Sequence, residues 1–323
     1  MRTTAACFGL MLTAGLAAVA PGTARAEEPV LRPAIDGPWW QVTGNPDLGE
    51  WTSDAQQPVD FGVWQAADGT WQLWSCIRKT KVGGNTRLFH RWEGRRLTET
   101  GWKPMGVAMT ADEKLGESPG GLQAPHVIVI DDVYHMFYGD WRNICLATSR
   151  DGKQFERFAG KDGRPQLFGD DRPDEWVNAR DPMVLSVGET FHCYYTAFPE
   201  RKGAVYCRTS KDLRKWSEPI TVAFGGQAGT NPYSAECPHV VFRHEWYYLF
   251  RTQRYGQDAQ TSVYRSKDPL DFGIDHDRHF LGRLPVAAPE IVRHEGRDYI
   301  AALLPSLAGI QIARLKWEAV PTD

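Results

Sequence analysis

Hydrophobic and polar positions along this chain alternate in short bursts rather than at helical spacing. Stretches such as QAPHVIVIDDVYHMFY (123–138), ARDPMVLSVGETFHCYY (179–195), AECPHVVFRHEWYYLF (235–250) and AAPEIVRHEGRDYIAAL (287–303) each read as strand, tight turn, strand. They share more than a pattern. A proline anchors each copy, at Pro125, Pro182, Pro238 and Pro289, and these prolines lie 57, 56 and 51 residues apart. A fifth, looser copy, PVDFGVWQAADGTWQLW (58–74), places Phe61 in the proline's slot.

A second signature follows the hairpins: ICLATSRDGKQFERF (144–158), AVYCRTSKDLRKWSEP (204–219) and TSVYRSKDPLDFG (261–273). NTRLFHRWEG (85–94) and IQIARLKWE (310–318) fill the same place in the first and last copies. Each unit therefore holds three or four short strands. Five units at a fixed period predict an all-β chain folded as a five-bladed β-propeller, a better account than a sandwich because both halves of the unit recur in order. Residues 27–323 are expected to form that single domain, with 27–53 and its Trp39-Trp40 capping one face or closing the ring.

Composition agrees and adds limits. Thirteen Trp, 31 Gly and 21 Pro suit short strands and turns. Residues 1–26 read as a signal peptide: Arg2, an apolar stretch from Ala5 to Ala20, then Ala24-Arg25-Ala26. Its removal takes away two arginines, moving the net charge from −3 to −5, and predicts a secreted or periplasmic protein with no membrane anchor. With no basic block, nucleic acid is not an expected partner, and a monomer is expected. Five cysteines remain after residue 26. Cys193 and Cys207 would face each other in a hairpin turning near Glu200, either as a disulfide or as two buried thiols.

The candidate chemistry lies at the mouths of the innermost strands. The slot before each anchor holds Asp60, Ala124, Asp181, Cys237 and Ala288; one residue earlier stand Val59, Gln123, Arg180, Glu236 and Ala287. Three blades thus aim a carboxylate at a common funnel. Gathered acids repel one another and lose solvent, which pushes their pKa values apart, the condition for glycosidic bond cleavage by an acid and a base or nucleophile.

At these residues the sequence resembles the five-bladed propeller glycoside hydrolases of families 43 and 32. Arg180-Asp181-Pro182 resembles the RDP motif of family 32 and Glu236-Cys237 its EC motif; both also fit the looser Asp-Pro and Glu-x-Pro patterns of family 43. Asp60 sits where both families keep an essential aspartate, although QPVDFGVW departs from the WMNDPNG-like opening of family 32. The family 32 C-terminal β-sandwich has no counterpart after the fifth unit. The resemblance implies catalytic Asp60, Asp181 and Glu236. In an inverting enzyme Asp60 is the base, Glu236 the acid, and Asp181 orients Glu236. In a retaining enzyme Asp60 is the nucleophile, Glu236 the acid/base, and Asp181 holds sugar hydroxyls.

Around the acids, Arg180, His126, His239, Glu290, Trp64, Trp141 and Arg251 are candidate contacts to a carbohydrate substrate, with Tyr233, Asp140, Arg142 and Arg254 further out. No metal motif is present, so no cofactor is expected; a structural ion in the channel stays open. Two alternatives to a hydrolase stand beside it. One is a non-catalytic carbohydrate-binding propeller; the other is a propeller phosphorylase or transferase, which needs basic residues such as Arg180, Arg251 and Arg254 around the funnel.

Overall fold

The computed structural model describes residues 29–320 except 161 and 171–175. The signal-peptide reading of residues 1–26 lies outside the described residues. Within them the chain is all-β, with five sheets arranged in a ring as a five-bladed propeller.

The first blade comprises β2 (Gln57–Gln65), β3 (Trp71–Arg78), β4 (Leu88–Gly94) and β5 (Lys103–Met109), counted from the channel outward. The second has β6 (Gln123–Ile130), β7 (Val133–Gly139), β8 (Asn143–Ser149) and β10 (Gln166–Gly169), with the short β9 (Glu156–Arg157) also paired to β8. The third runs β11 (Arg180–Val187), β12 (Thr190–Ala197), β13 (Ala204–Ser210) and β14 (Ile220–Phe224). The fourth runs β15 (Glu236–Arg243), β16 (Trp246–Arg254), β17 (Gln260–Ser266) and β18 (Phe280–Leu284).

The fifth blade is built from both ends of the chain. Strands β19 (Glu290–His294), β20 (Arg297–Leu303) and β21 (Gly309–Ala319) are completed on the outside by β1 (Leu31–Gly44), antiparallel to β21 from Leu31↔Ala319 to Gly44↔Gly309. Strand β1 thus closes the ring. Pairing the first strand with the last satisfies the outer backbone edge of β21 and ties the ring without a covalent link.

Local chemistry explains the hairpins. In three blades, two-residue turns join the inner pair of strands at Asp131-Asp132, His244-Glu245 and Glu295-Gly296, each with both φ values positive. That is the turn whose twist matches the flanking strands. Second strands are buried on both faces: β3, WQLWSCIR, is buried from Trp71 to Ile77. Neighbouring blades pack over these apolar faces. Inner strands approach closely where side chains vanish: a Cβ on Gly62 of β2 would sit 2.5 Å from the Pro125 carbonyl oxygen of β6.

Cys193 and Cys207 are free thiols, as are Cys76, Cys145 and Cys237. The hairpin turns half a residue later than its pattern indicates: Cys193 pairs with Arg208, and Tyr194 with Cys207. A one-residue slip sends two side chains to opposite faces of the sheet, so the two sulfurs never meet.

Candidate active site

The five slots before the anchors share one backbone conformation. Asp60, Ala124, Asp181, Cys237 and Ala288 have φ of 38°, 41°, 57°, 45° and 48°. In the first four blades the strand register shifts at this point, between Val59 and Phe61, Gln123 and His126, Arg180 and Met183, and Glu236 and His239. Left-handed backbone at a non-glycine residue costs on the order of 1 kcal/mol and persists only where its surroundings impose it. Five copies of this backbone in one ring mark a built feature: each places one side chain in the channel wall. Those five residues, with Phe61, Pro125, Pro182, Pro238 and Glu290, line a small central cavity of about 10 Å³.

The structure brings Asp60, Asp181 and Glu236 to one funnel. Asp181 is 4 % exposed. Its Oδ2 accepts hydrogen bonds from Thr196 Oγ1 at 2.8 Å and from the Cys237 backbone N–H at 3.1 Å, and lies 3.6 Å from Arg180 Nε. Its Oδ1 is buried without a protein partner. Burial, then the Asp60 charge, push the Asp181 carboxyl up to about 7, with Arg180 opposing and Glu236 adding to the rise. Asp60 Oδ1 accepts from Tyr255 Oη at 2.9 Å and from Cys237 Sγ at 3.2 Å. Burial first, then Asp60, raises the Tyr255 hydroxyl well above its usual range, so it remains a donor.

Glu236 is ion-paired to Arg180 through Nη2, and the guanidinium lies over the Phe198 ring, 4.6 Å from its centroid. Burial works against the Arg180 charge, but Glu236 and Asp181 outweigh it and hold the group protonated. Arg180 therefore belongs to the acid cluster, bridging the third and fourth blades. Second strands lock the blades around it. Cys76 Sγ donates to the Leu122 carbonyl, the Thr196 hydroxyl lies 2.9 Å from the Ala235 carbonyl, and Thr252 Oγ1 accepts from the Ala288 N–H.

Other candidates fall elsewhere. His126, His239 and Glu290 lie deeper in the channel, with Glu290 Oε2 3.4 Å from His239 Nδ1 and 4.0 Å from His126 Nδ1. These three also line a cavity of about 520 Å³ with Val63, Val127 and Val292, at the end of the inner strands away from the acids. Burial lowers the His126 imidazole to about 4, so it is neutral and accepts or donates within the channel wall. Trp64 is buried against Trp74 and Phe155, its indole N–H donating to the Gly152 carbonyl at 2.8 Å; it packs the first blade on the second and is no sugar platform. Arg251, 1 % exposed, donates to the carbonyls of Ser234 and Gly229 at 2.7 and 2.9 Å. Burial lowers its guanidinium to about 10. It clamps the loop entering the fourth blade and is unavailable to a substrate. Asp140 caps the turn after β7 by accepting from the Arg142 and Asn143 N–H groups. Trp141, at φ 82°, does sit on the funnel-side turns, with the Arg87 guanidinium 4.7 Å from its ring centroid. Tyr233, 53 % exposed, lies on the loop leading to Glu236.

Loops that enter the second and third blades are pinned in the same manner as that of Arg251. Arg157 grips buried Glu117 through Nε and Nη2 at 2.7 and 2.8 Å, and Arg208 pairs with buried Asp170 at 2.9 Å. Thr196 and Tyr255 were not singled out in the sequence. Thr196 could have been found by carrying the repeat to the second strands, where it matches Thr252 opposite Glu236. Tyr255 follows β16 at a position no repeat marks.

No family profile matches this sequence, and no curated protein is similar enough to count as a relative. Solved structures do match in shape. A thermostable family-43 glycoside hydrolase superposes with a TM-score of 0.58 at 15 % identity, covering 87 % of this chain and 94 % of that one. A Bombyx mori GH32 β-fructofuranosidase gives 0.59 at 16 %, covering 86 % of this chain and 61 % of that one. A sucrose-6-phosphate hydrolase from Lactobacillus gasseri gives 0.61 at 13 %, covering 82 % and 59 %. The chain thus has the propeller fold seen in family 43 and family 32 structures, and it spans about three fifths of the length of the β-fructofuranosidase and of the sucrose-6-phosphate hydrolase.

Proposed function

We propose that this protein is a secreted glycoside hydrolase that cleaves a glycosidic bond in an oligo- or polysaccharide. The observation that carries the reading is the convergence of three acids from three blades on one funnel, with Asp60 and Asp181 together at its floor, Glu236 joined to them through Arg180, and Asp181 pushed up to about 7. Glycoside cleavage needs one carboxyl group as proton donor and another as base or nucleophile. In this reading Glu236, at the funnel rim and held by Arg180, is the donor. Asp60, oriented by Tyr255 and Cys237, is the base or nucleophile. Asp181, anchored through Oδ2, couples its charge to both neighbours. The structural resemblance to glycoside hydrolases supports the reaction class.

A phosphorylase or transferase would need a cationic phosphate seat. Arg251 is committed to loop carbonyls and Arg254 is bonded to Gln260, so among the three arginines considered only Arg180 faces the acids. The test is hydrolysis of a panel of aryl glycosides and oligosaccharides by the wild type, Glu236→Gln and Asp60→Asn. Loss of 10²-fold or more in kcat for both folded variants is expected. A Glu236→Gln rate equal to wild type would remove the proton-donor assignment. Wild-type binding of oligosaccharides without turnover would favour the carbohydrate-binding alternative.

A further inference from the structure

The ring slots assemble a second kind of chemistry. Asp60, Asp181 and Cys237 each offer one donor atom, and these three atoms all lie within 4.8 Å of one another. Among the described residues no other three of His, Cys, Asp and Glu do so. The remaining two slots, Ala124 and Ala288, are small and apolar and leave the centre open; the cavity of about 10 Å³ between the five slots is the size of a single small occupant. One feature independent of the clustering points to that occupant. Asp181, only 4 % exposed, has its Oδ1 sealed from solvent with no donor to satisfy it. A buried carboxylate oxygen without a partner is destabilising, and a cation would supply what the protein does not.

We propose that the funnel floor is a binding site for one thiophilic divalent cation of the zinc class, ligated by Asp60, Asp181 and Cys237. The donor set selects the metal. Calcium and magnesium take oxygen-only shells of six or more ligands, whereas a thiolate with two carboxylates suits zinc or cobalt(II), with bonds of about 2.3 Å to sulfur and about 2.0–2.2 Å to oxygen. Cys237 Sγ and Asp60 Oδ1 are 3.2 Å apart, a separation that one tetrahedral ion bridges with little movement. Tyr255 Oη, 3.2 Å from Cys237 Sγ and 2.9 Å from Asp60 Oδ1, stands beside the ligands as an orienting group. On binding, the sulfur–metal bond forms as the thiol proton leaves to solvent. The cation occupies two of the carboxylates assigned to chemistry, so it inhibits turnover reversibly. That consequence rests on the hydrolase reading; the binding itself does not.

Cobalt(II) titration of the full chain under reducing conditions tests it by absorption spectroscopy. One equivalent is expected to give a thiolate-to-cobalt charge-transfer band and the visible bands of a tetrahedral ion. Zinc should abolish both, and calcium in large excess should leave them. Cys237→Ser should lose the charge-transfer band and bind at least about tenfold more weakly. Asp181→Asn should keep the band with weaker affinity, so it carries the test should Cys237→Ser fail to fold by circular dichroism. No charge-transfer band in the wild type, or the same band in Cys237→Ser, overturns the proposal. Binding without any glycosidase activity would leave the metal site standing and remove the hydrolase; activity without binding would do the reverse.

Discussion

Replacing Asp181 with Asn should cost the protein its chemistry and shift its stability relative to the wild type in a manner that depends on pH with a known sign. The carboxyl is pushed from 3.8 to about 7 in the folded protein, first by burial and then by Asp60. Between those two values the native state holds a proton that the unfolded chain releases. Wild-type stability therefore falls as pH rises through that window and levels off above it. At about 1.4 kcal/mol per unit, the three-unit rise corresponds to at most about 4 kcal/mol. Asn does not titrate. Its amide oxygen can accept the Thr196 and Cys237 hydrogen bonds, while its amide nitrogen lands where Oδ1 lies buried and unpartnered. An unsatisfied donor there costs about 1–3 kcal/mol at every pH, so it displaces the whole curve without changing its slope. Urea unfolding of both proteins at steps from about pH 4 to about pH 8 reads the difference. The variant is expected to gain on the wild type progressively up to about pH 7, with the difference constant from there on, and to lose activity severely. Parallel stability curves would refute the burial argument, and near-wild-type activity would refute the funnel.

Two further substitutions probe what holds the funnel in place. Arg251→Met strands the Ser234 and Gly229 carbonyls and frees the loop that delivers Glu236; a loss of about 3 kcal/mol in unfolding free energy is expected, and a loss below about 1 kcal/mol would show that the clamp is not structural. Gly62→Ala drives a methyl group against the Pro125 carbonyl, 2.5 Å away. Overpacking between the first two inner strands should lower stability by about 1–3 kcal/mol and depress kcat through Asp60, two residues earlier, and an unchanged Tm would show that the blades separate freely.

The five-bladed ring was legible because each blade is a local object. Strand alternation, two-residue turns and an anchor proline recur within some 55 residues, so periodicity reports them directly. The same period placed Asp60 and Asp181 in equivalent slots at strand mouths, with Glu236 one residue before the corresponding slot, because equivalent positions in a closed ring must point at one axis. Periodicity fails wherever a side chain's fate depends on a neighbour outside its own unit. Trp64 and Arg251 occupy plausible positions near strand ends, yet one is consumed in packing between blades and the other by carbonyls of a loop. Cys193 and Cys207 missed each other by a single residue of register, which the turn sets and the pattern does not show.

The sequence by itself therefore determined the repeat, the number of blades and the residues that face the axis, since these follow from short-range spacing. Only the tertiary structure decided that the N-terminal strand closes the fifth blade, and that five residues in left-handed backbone turn their side chains into the channel. It also decided that an arginine, a tyrosine and a thiol complete the acid cluster. Those facts depend on desolvation and on contacts between segments as far apart as Asp60 and Tyr255, 195 residues along the chain. Burial and closure are properties of the assembled ring, and no window of sequence contains them.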